Sequence, residues 1–94
     1  MPIINFLLDT SFTKIVNYSD KRTVIVIANR DVSNKVEITY EPNNPNLSIY
    51  TLDPLDSISF IKQLGDETDK AIYARATGAN TKIEVIEQYG KIEG

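Results

Sequence analysis

"TLDPLDSISFI", residues 51–61, decides the fold, because the same letters describe the start of a helix and a pair of strands joined at a proline. As a helix start, Asp53 caps, Pro54 occupies the first turn and Asp56 follows within it. As strands, Leu52 closes one and Ile58 and Phe60 share a face of the next. The helical reading continues with Leu55, Ile58, Ile61 and Leu64 to a stop at Gly65, then a second helix over 67–77 from an Asp66 cap, favoured by Ala71, Ala74 and Ala76. A uniform spacing of three makes the first of these apolar rows drift about 60° per step, whereas a buried stripe mixes threes with fours. The strand reading has no such fault. It puts Ile58 and Phe60 of 57–62 inward against Ser57 and Ser59, and Ile72, Ala74 and Ala76 of 71–77 inward against Tyr73 and Arg75. "TGAN", 77–80, then closes a hairpin into a last strand. Periodicity favours strands here without removing the helical alternative.

Working outward, "KVEITYE", 35–41, alternates Val36, Ile38 and Tyr40 against Lys35, Glu37, Thr39 and Glu41, the pattern of a strand with one wet face. "TVIVIAN", 23–29, is apolar at nearly every position and β-branched, which predicts a central strand covered on both faces. "LSIYTL", 47–52, is a strand with Tyr50 on the outward side, and "TKIEVIEQY", 81–89, is another, its polar side broken by Ile86. Phe12, Ile15 and Val16 mark a short strand before residue 22. "RDVSN" and "EPNNPN" between strands are loops rich in turn formers. Turn signals about every ten residues, with about seven short strands between them, predict an all-β antiparallel β-sandwich, one domain over 1–94. Jelly-roll and immunoglobulin-like strand orders both fit.

"PIINFLL", residues 2–8, is apolar at six of its seven positions, counting Pro2. Two readings stay open: a first strand buried within the monomer, or an N-terminal arm within 1–10 that adds a strand to a neighbouring subunit and so makes a homo-oligomer.

Ninety-four residues fold to a surface of roughly 5,500 Å² from about 15,000 Å² in the open chain, a thin core. At 41% hydrophobic and 24% charged the chain has a globular composition. It has no cysteine and no histidine, which removes disulfides, thiolate zinc sites, the thiolate nucleophile and the commonest general base. No enzyme activity and no cofactor are expected. A formal charge of −3 and a pI near 4.8, with Lys21-Arg22 the longest basic run, argue against nucleic-acid binding. The opening residues lack a basic n-region and their apolar run is short, so no signal peptide and no membrane span are expected, and synthesis is placed in a cytoplasm.

Asp53, Asp56, Asp66, Glu67 and Asp69 offer oxygens from two loops, but their spacing matches no calcium loop and reads as solvated turns. Paired carboxylates without tryptophan do not suggest a glycosidase cleft. Tyrosines at 18, 40, 50, 73 and 89 are candidates for a protein or carbohydrate contact surface, Tyr50 and Tyr73 being expected to face outward. The candidate interface residues are Ile3, Ile4, Phe6, Leu7, Leu8, Tyr50 and Tyr73. No catalytic or metal-binding residue is assigned.

Arg22 opening a β-branched run to Asn29, Leu52-x-Pro54, Asp56-Ser57-Ile58-x-Phe60, Ile72-Tyr73-Ala74 and Val85-x-Glu87 together resemble the small β-sandwich modules of tailed-phage virion proteins. The resemblance spans roughly residues 22–87. It implies two strands at 51–61 and a non-enzymatic virion structural protein made in the host cytoplasm. Such a protein is an auxiliary or decoration protein bound to the major capsid protein or other virion proteins. The alternative it implies is a carbohydrate- or receptor-binding module of a fibre or tail. Leu55 departs from the family pattern, which has Gly after the proline: a type I turn accommodates Leu there and a type II turn does not readily do so.

Overall fold

A computed structural model of the protein describes residues 3–44 and 50–90. Eight strands follow one another: β1 (Ile3–Leu8), β2 (Thr13–Val16), β3 (Arg22–Asn29), β4 (Val36–Thr39), β5 (Tyr50–Leu52), β6 (Ser57–Ile61), β7 (Ile72–Ala76) and β8 (Thr81–Tyr89). No α-helix occurs among the described residues. The helical alternative for 54–77 reduces to one 3-10 turn at Lys62–Leu64, stopped by Gly65 at φ 92°, a left-handed value natural to glycine.

The strands form two four-stranded sheets, β1-β8-β3-β6 (sheet 1) and β2-β7-β4-β5 (sheet 2). Every pairing is antiparallel, and four of them nest: β1 with β8, β2 with β7, β3 with β6, β4 with β5. Nested pairs make one long antiparallel ribbon rolled into two layers, which is the jelly roll. An immunoglobulin-like order would pair the first two strands, and here they lie in different sheets. The eighth strand beyond the expected seven is the N-terminal segment. It pairs within its own chain, although only one side of it is covered.

The rolled topology also corrects the hairpin expected at "TGAN". β7 and β8 belong to opposite sheets, so residues 77–80 are an arch from one layer to the other, with Asn80 at φ 57°. The Asp53–Asp56 turn is likewise an arch, from β5 to β6. The Asp56 N–H donates to the Asp53 carbonyl at 3.0 Å, Pro54 holds the first central position and Leu55 has φ 64°. Proline fixes a negative φ, and positive φ at the next residue then defines a type II turn, the type that disfavours leucine.

Alternation sets what lies between the layers. Ile25 and Ile27 of β3, Ile83 and Val85 of β8 and Phe60 of β6 face Ile15 and Val16 of β2, Val36 and Ile38 of β4, Leu52 of β5 and Ile72, Ala74 and Ala76 of β7. β3 is central in its sheet, as expected, but it is covered on one face only: Val24 and Val26 face away from the core and are half-buried by same-sheet neighbours. Tyr50 stands opposite Ile38 and on the same side as Leu52, so it points inward at the sandwich rim and meets Phe60 edge-on, ring centroids 5.6 Å apart. That corrects its expected outward direction. The expected positions 47–49 of its strand lie outside the described residues.

Candidate functional site

Charged and amide side chains at the two ends of β3 close the sandwich. Arg22 is fully buried, and its guanidinium serves four acceptors on three segments. Nε donates to the Thr68 carbonyl at 2.8 Å, Nη2 to the Lys70 carbonyl at 3.0 Å, and Nη1 to the Asn17 carbonyl at 2.7 Å and to Glu87 Oε1 at 2.9 Å. Thr68 Oγ1 returns a bond to the Arg22 carbonyl, and the Tyr89 hydroxyl donates to Glu87 Oε1. A planar fork with fixed donors suits such a junction where a flexible ammonium would not. It fastens the β2–β3 and β6–β7 loops to β8.

At the other end, Asn29 Nδ2 donates to the carbonyls of Asn34 and Asp53, and its Oδ1 accepts from the Asp31 N–H at 2.9 Å. Asp31 in turn accepts from the N–H groups of Asn34 and Ser33, which hold its carboxyl below the ordinary aspartate value. Asn34 Nδ2 donates to Thr81 Oγ1, and a Cβ at Gly78 would come within 2.8 Å of the Asn34 amide, which would have to shift to admit it. The Asn29 N–H donates to the Asp56 carbonyl and the Leu55 N–H to the Asp31 carbonyl, which ties the type II turn to the β3–β4 loop. Arg22, Asn29 and Glu87 all act as structural latches.

The acidic residues do not converge. Asp53 and Asp56 sit in the arch before β6, and Asp66, Glu67 and Asp69 in the loop after it, at opposite ends of that strand. Among the described residues no three Asp or Glu side chains are placed to hold a metal ion. Asp53 pairs with Lys35 at 3.8 Å, Glu67 with Lys70 at 2.9 Å, and Asp66 accepts from the Ile61 N–H. A shallow cleft of about 250 Å³ lined by Asp20, Lys62, Asp66, Glu67, Thr68 and Asp69 carries no nucleophile–base pair.

The tyrosines are dispersed. Tyr73 points outward from β7 beneath Lys14 Nζ, 5.9 Å from its ring, whereas Tyr50 lies on the opposite face of the same sheet, so the two share no surface. Tyr40 packs on the core under Lys70 Nζ, and burial raises its phenol above the ordinary value.

The apolar candidates of β1 divide by alternation. Leu8 is 1% exposed and belongs to the core, which removes it from any contact surface, and Phe6 packs against the core beside it. Ile3, Ile4 and Leu7 are 57%, 40% and 70% exposed. Ile3 stands opposite Ile86 on the outer face of sheet 1, and the row continues across the sheet to Val26, with Val24 and Ile61 paired beside it. This layer of aliphatic side chains has no second layer over it among the described residues. Its signal in the sequence was Ile86 on the polar side of β8 together with the unbroken apolar run of β3.

Fold and latches thus define an eight-stranded jelly roll with one uncovered aliphatic face. No family model, curated protein or solved structure matches the chain. Among the described residues no helix is long and apolar enough to cross a membrane.

Proposed function

We propose that this chain is a non-enzymatic structural component of a phage virion, an auxiliary or decoration protein seated on the capsid surface. The observation that carries the reading is the outer face of sheet 1: Val24, Val26, Ile61, Ile86 and Ile3 form a contiguous aliphatic surface on a chain that lacks histidine and cysteine. Contiguous apolar surface on a small domain marks a place of attachment. A jelly roll is an architecture used in capsid proteins, and the motif series resembles virion modules; both are analogies of fold and motif that support the reading. On a capsid, each copy docks weakly through this face and the lattice of sites sums the contacts.

Mass spectrometry of purified particles from the source that encodes the chain tests this. The expected result is the chain at a fixed ratio to the major capsid protein, with Val26→Lys lost from particles while still folding. Particles that never contain it would remove the proposal.

A further inference from the structure

We infer that β1 is a self-pairing edge, on which a second copy of this chain adds its own β1 antiparallel across a twofold axis, joining two four-stranded sheets into one of eight strands. Among the described residues the four edge strands of the sandwich are not alike. β2 is four residues long, carries Lys14 and is broken by a bulge between Lys14 and Val16. β5 runs only from Tyr50 to Leu52 in the described residues. The end of β6 is closed by Asp66, whose carboxylate accepts from the Ile61 N–H at 2.9 Å and whose own N–H donates to the Ile61 carbonyl at 3.3 Å. Short strands, lysine, bulges and covering loops are the means by which sheet edges avoid pairing. Among the described residues β1 has none of them. It is six residues long, in unbroken register with β8, and holds no charge and no proline between Ile3 and Leu8. Every second residue of an edge strand turns its N–H and C=O outward, and those groups call for a strand.

Symmetry and pleat select the register. Residues directly opposite in an antiparallel pair point to the same face. A twofold perpendicular to the sheet exchanges them without changing faces, so an outer residue must meet an outer one. In β1 the outer residues are Ile3, Asn5 and Leu7, and the inner ones Ile4, Phe6 and Leu8. Centring the axis on Asn5 sets Ile3 against Leu7 and Ile4 against Phe6, each pair twice. All three exposed aliphatic side chains of the strand then gain an apolar partner. Centring on Phe6 instead leaves Ile3 unmatched and uses Leu8, which is already buried. The occupant is a second copy because β1 supplies its own complement in this register. The contact also joins two chains of net charge −3 along a strip without charge. Five paired residues per copy make a small interface, so the dimer belongs to the weak class with dissociation in the micromolar range.

The inference does not depend on the virion reading, and its test uses the purified chain alone. Light scattering behind size exclusion, over a concentration series up to about 100 μM, is expected to show a rise from 10.6 kDa towards twice that mass. Asn5→Asp and Asn5→Lys each place like charges across the axis and are each expected to weaken association by about tenfold or more. Mixed in equal amounts, the two variants are expected to associate again. Asn5 is exposed, so both variants should fold, and circular dichroism checks this. Leu7→Lys, also exposed, serves as a second disruptor if either fails. A chain that stays monomeric throughout the series overturns the inference. So does association that Asn5→Asp and Leu7→Lys leave unchanged, or an assembly larger than a dimer.

Discussion

Leu55 occupies a backbone conformation that side chains with a Cβ rarely adopt, φ 64° in an exposed type II turn. A non-glycine residue in the left-handed region costs about 1–2 kcal/mol, part of which glycine's greater freedom in the unfolded chain would return. Leu55→Gly is therefore expected to stabilise by about 0.5–1 kcal/mol and raise the melting temperature by about 2–8 °C, whereas Leu55→Ala, which keeps the Cβ, leaves it unchanged. Thermal melts of the two variants separate strain relief from loss of an exposed side chain. Arg22 works in the opposite sense. Arg22→Met leaves the Glu87 carboxylate without its cationic partner and three carbonyls without the donor Arg22 supplied, and should cost about 3–5 kcal/mol, read from urea unfolding. Arg22→Lys is expected to recover little, because one ammonium cannot span acceptors on Asn17, Thr68, Lys70 and Glu87. The letters marked Leu55 as the exception and left the turn type open, whereas the Arg22 latch was not legible in them. A lone arginine at the head of an apolar strand reads as a strand-end charge, and the partners that make it a latch are 46 to 65 residues away in the chain for Thr68 and Glu87.

Within single elements, period-two alternation carried most of the architecture. β8 runs over the span its pattern marked, Thr81–Tyr89, and β7 turns Ile72, Ala74 and Ala76 inward as its spacing predicts. Where the pattern has no alternation it cannot say what covers a face. β3 is apolar on both sides because one side meets the core and the other forms the uncovered layer, and nothing local distinguishes that layer from a second core. Tyr50 fails for a related reason: its strand is short and its side was inferred from residues 47–49, which lie outside the described part. The small residues of β7 are informative in themselves. Ala74 and Ala76 are buried in the core, opposite Ile38 and Val36 of β4. Ala74 is 0% exposed, so Ala74→Leu adds three carbons inside a packed core and is expected to cost about 1–3 kcal/mol. Ala74→Gly would lose less packing but more chain entropy, about 0.5–1 kcal/mol. Urea midpoints that rise for Ala74→Leu would mean that a cavity lies beside β7.

Across the whole molecule, the nested order makes the first strand wait for the last, since β1 closes on β8 and β2 on β7. No local motif announces such pairings, which is why the letters left jelly-roll and immunoglobulin-like orders undivided. The same topology places the Arg22 and Asn29 latches at opposite ends of the eight-residue strand β3, about 24 Å apart at strand rise. They share no hydrogen-bond partner: one gathers the loops after β2 and β6, the other the loops after β3, β5 and β7. Sites at that distance should contribute independently. Glu87→Gln keeps the shape of the first latch while removing its charge, at an expected cost of about 1–2 kcal/mol; Asn29→Ala removes the second at about 2 kcal/mol. In a double-mutant cycle by urea unfolding, the combined loss should equal the sum of the single losses within about 0.5 kcal/mol. A coupling above about 1 kcal/mol would mean that β3 transmits strain from one end of the sandwich to the other, and the two ends would then have to be treated as one cooperative structure.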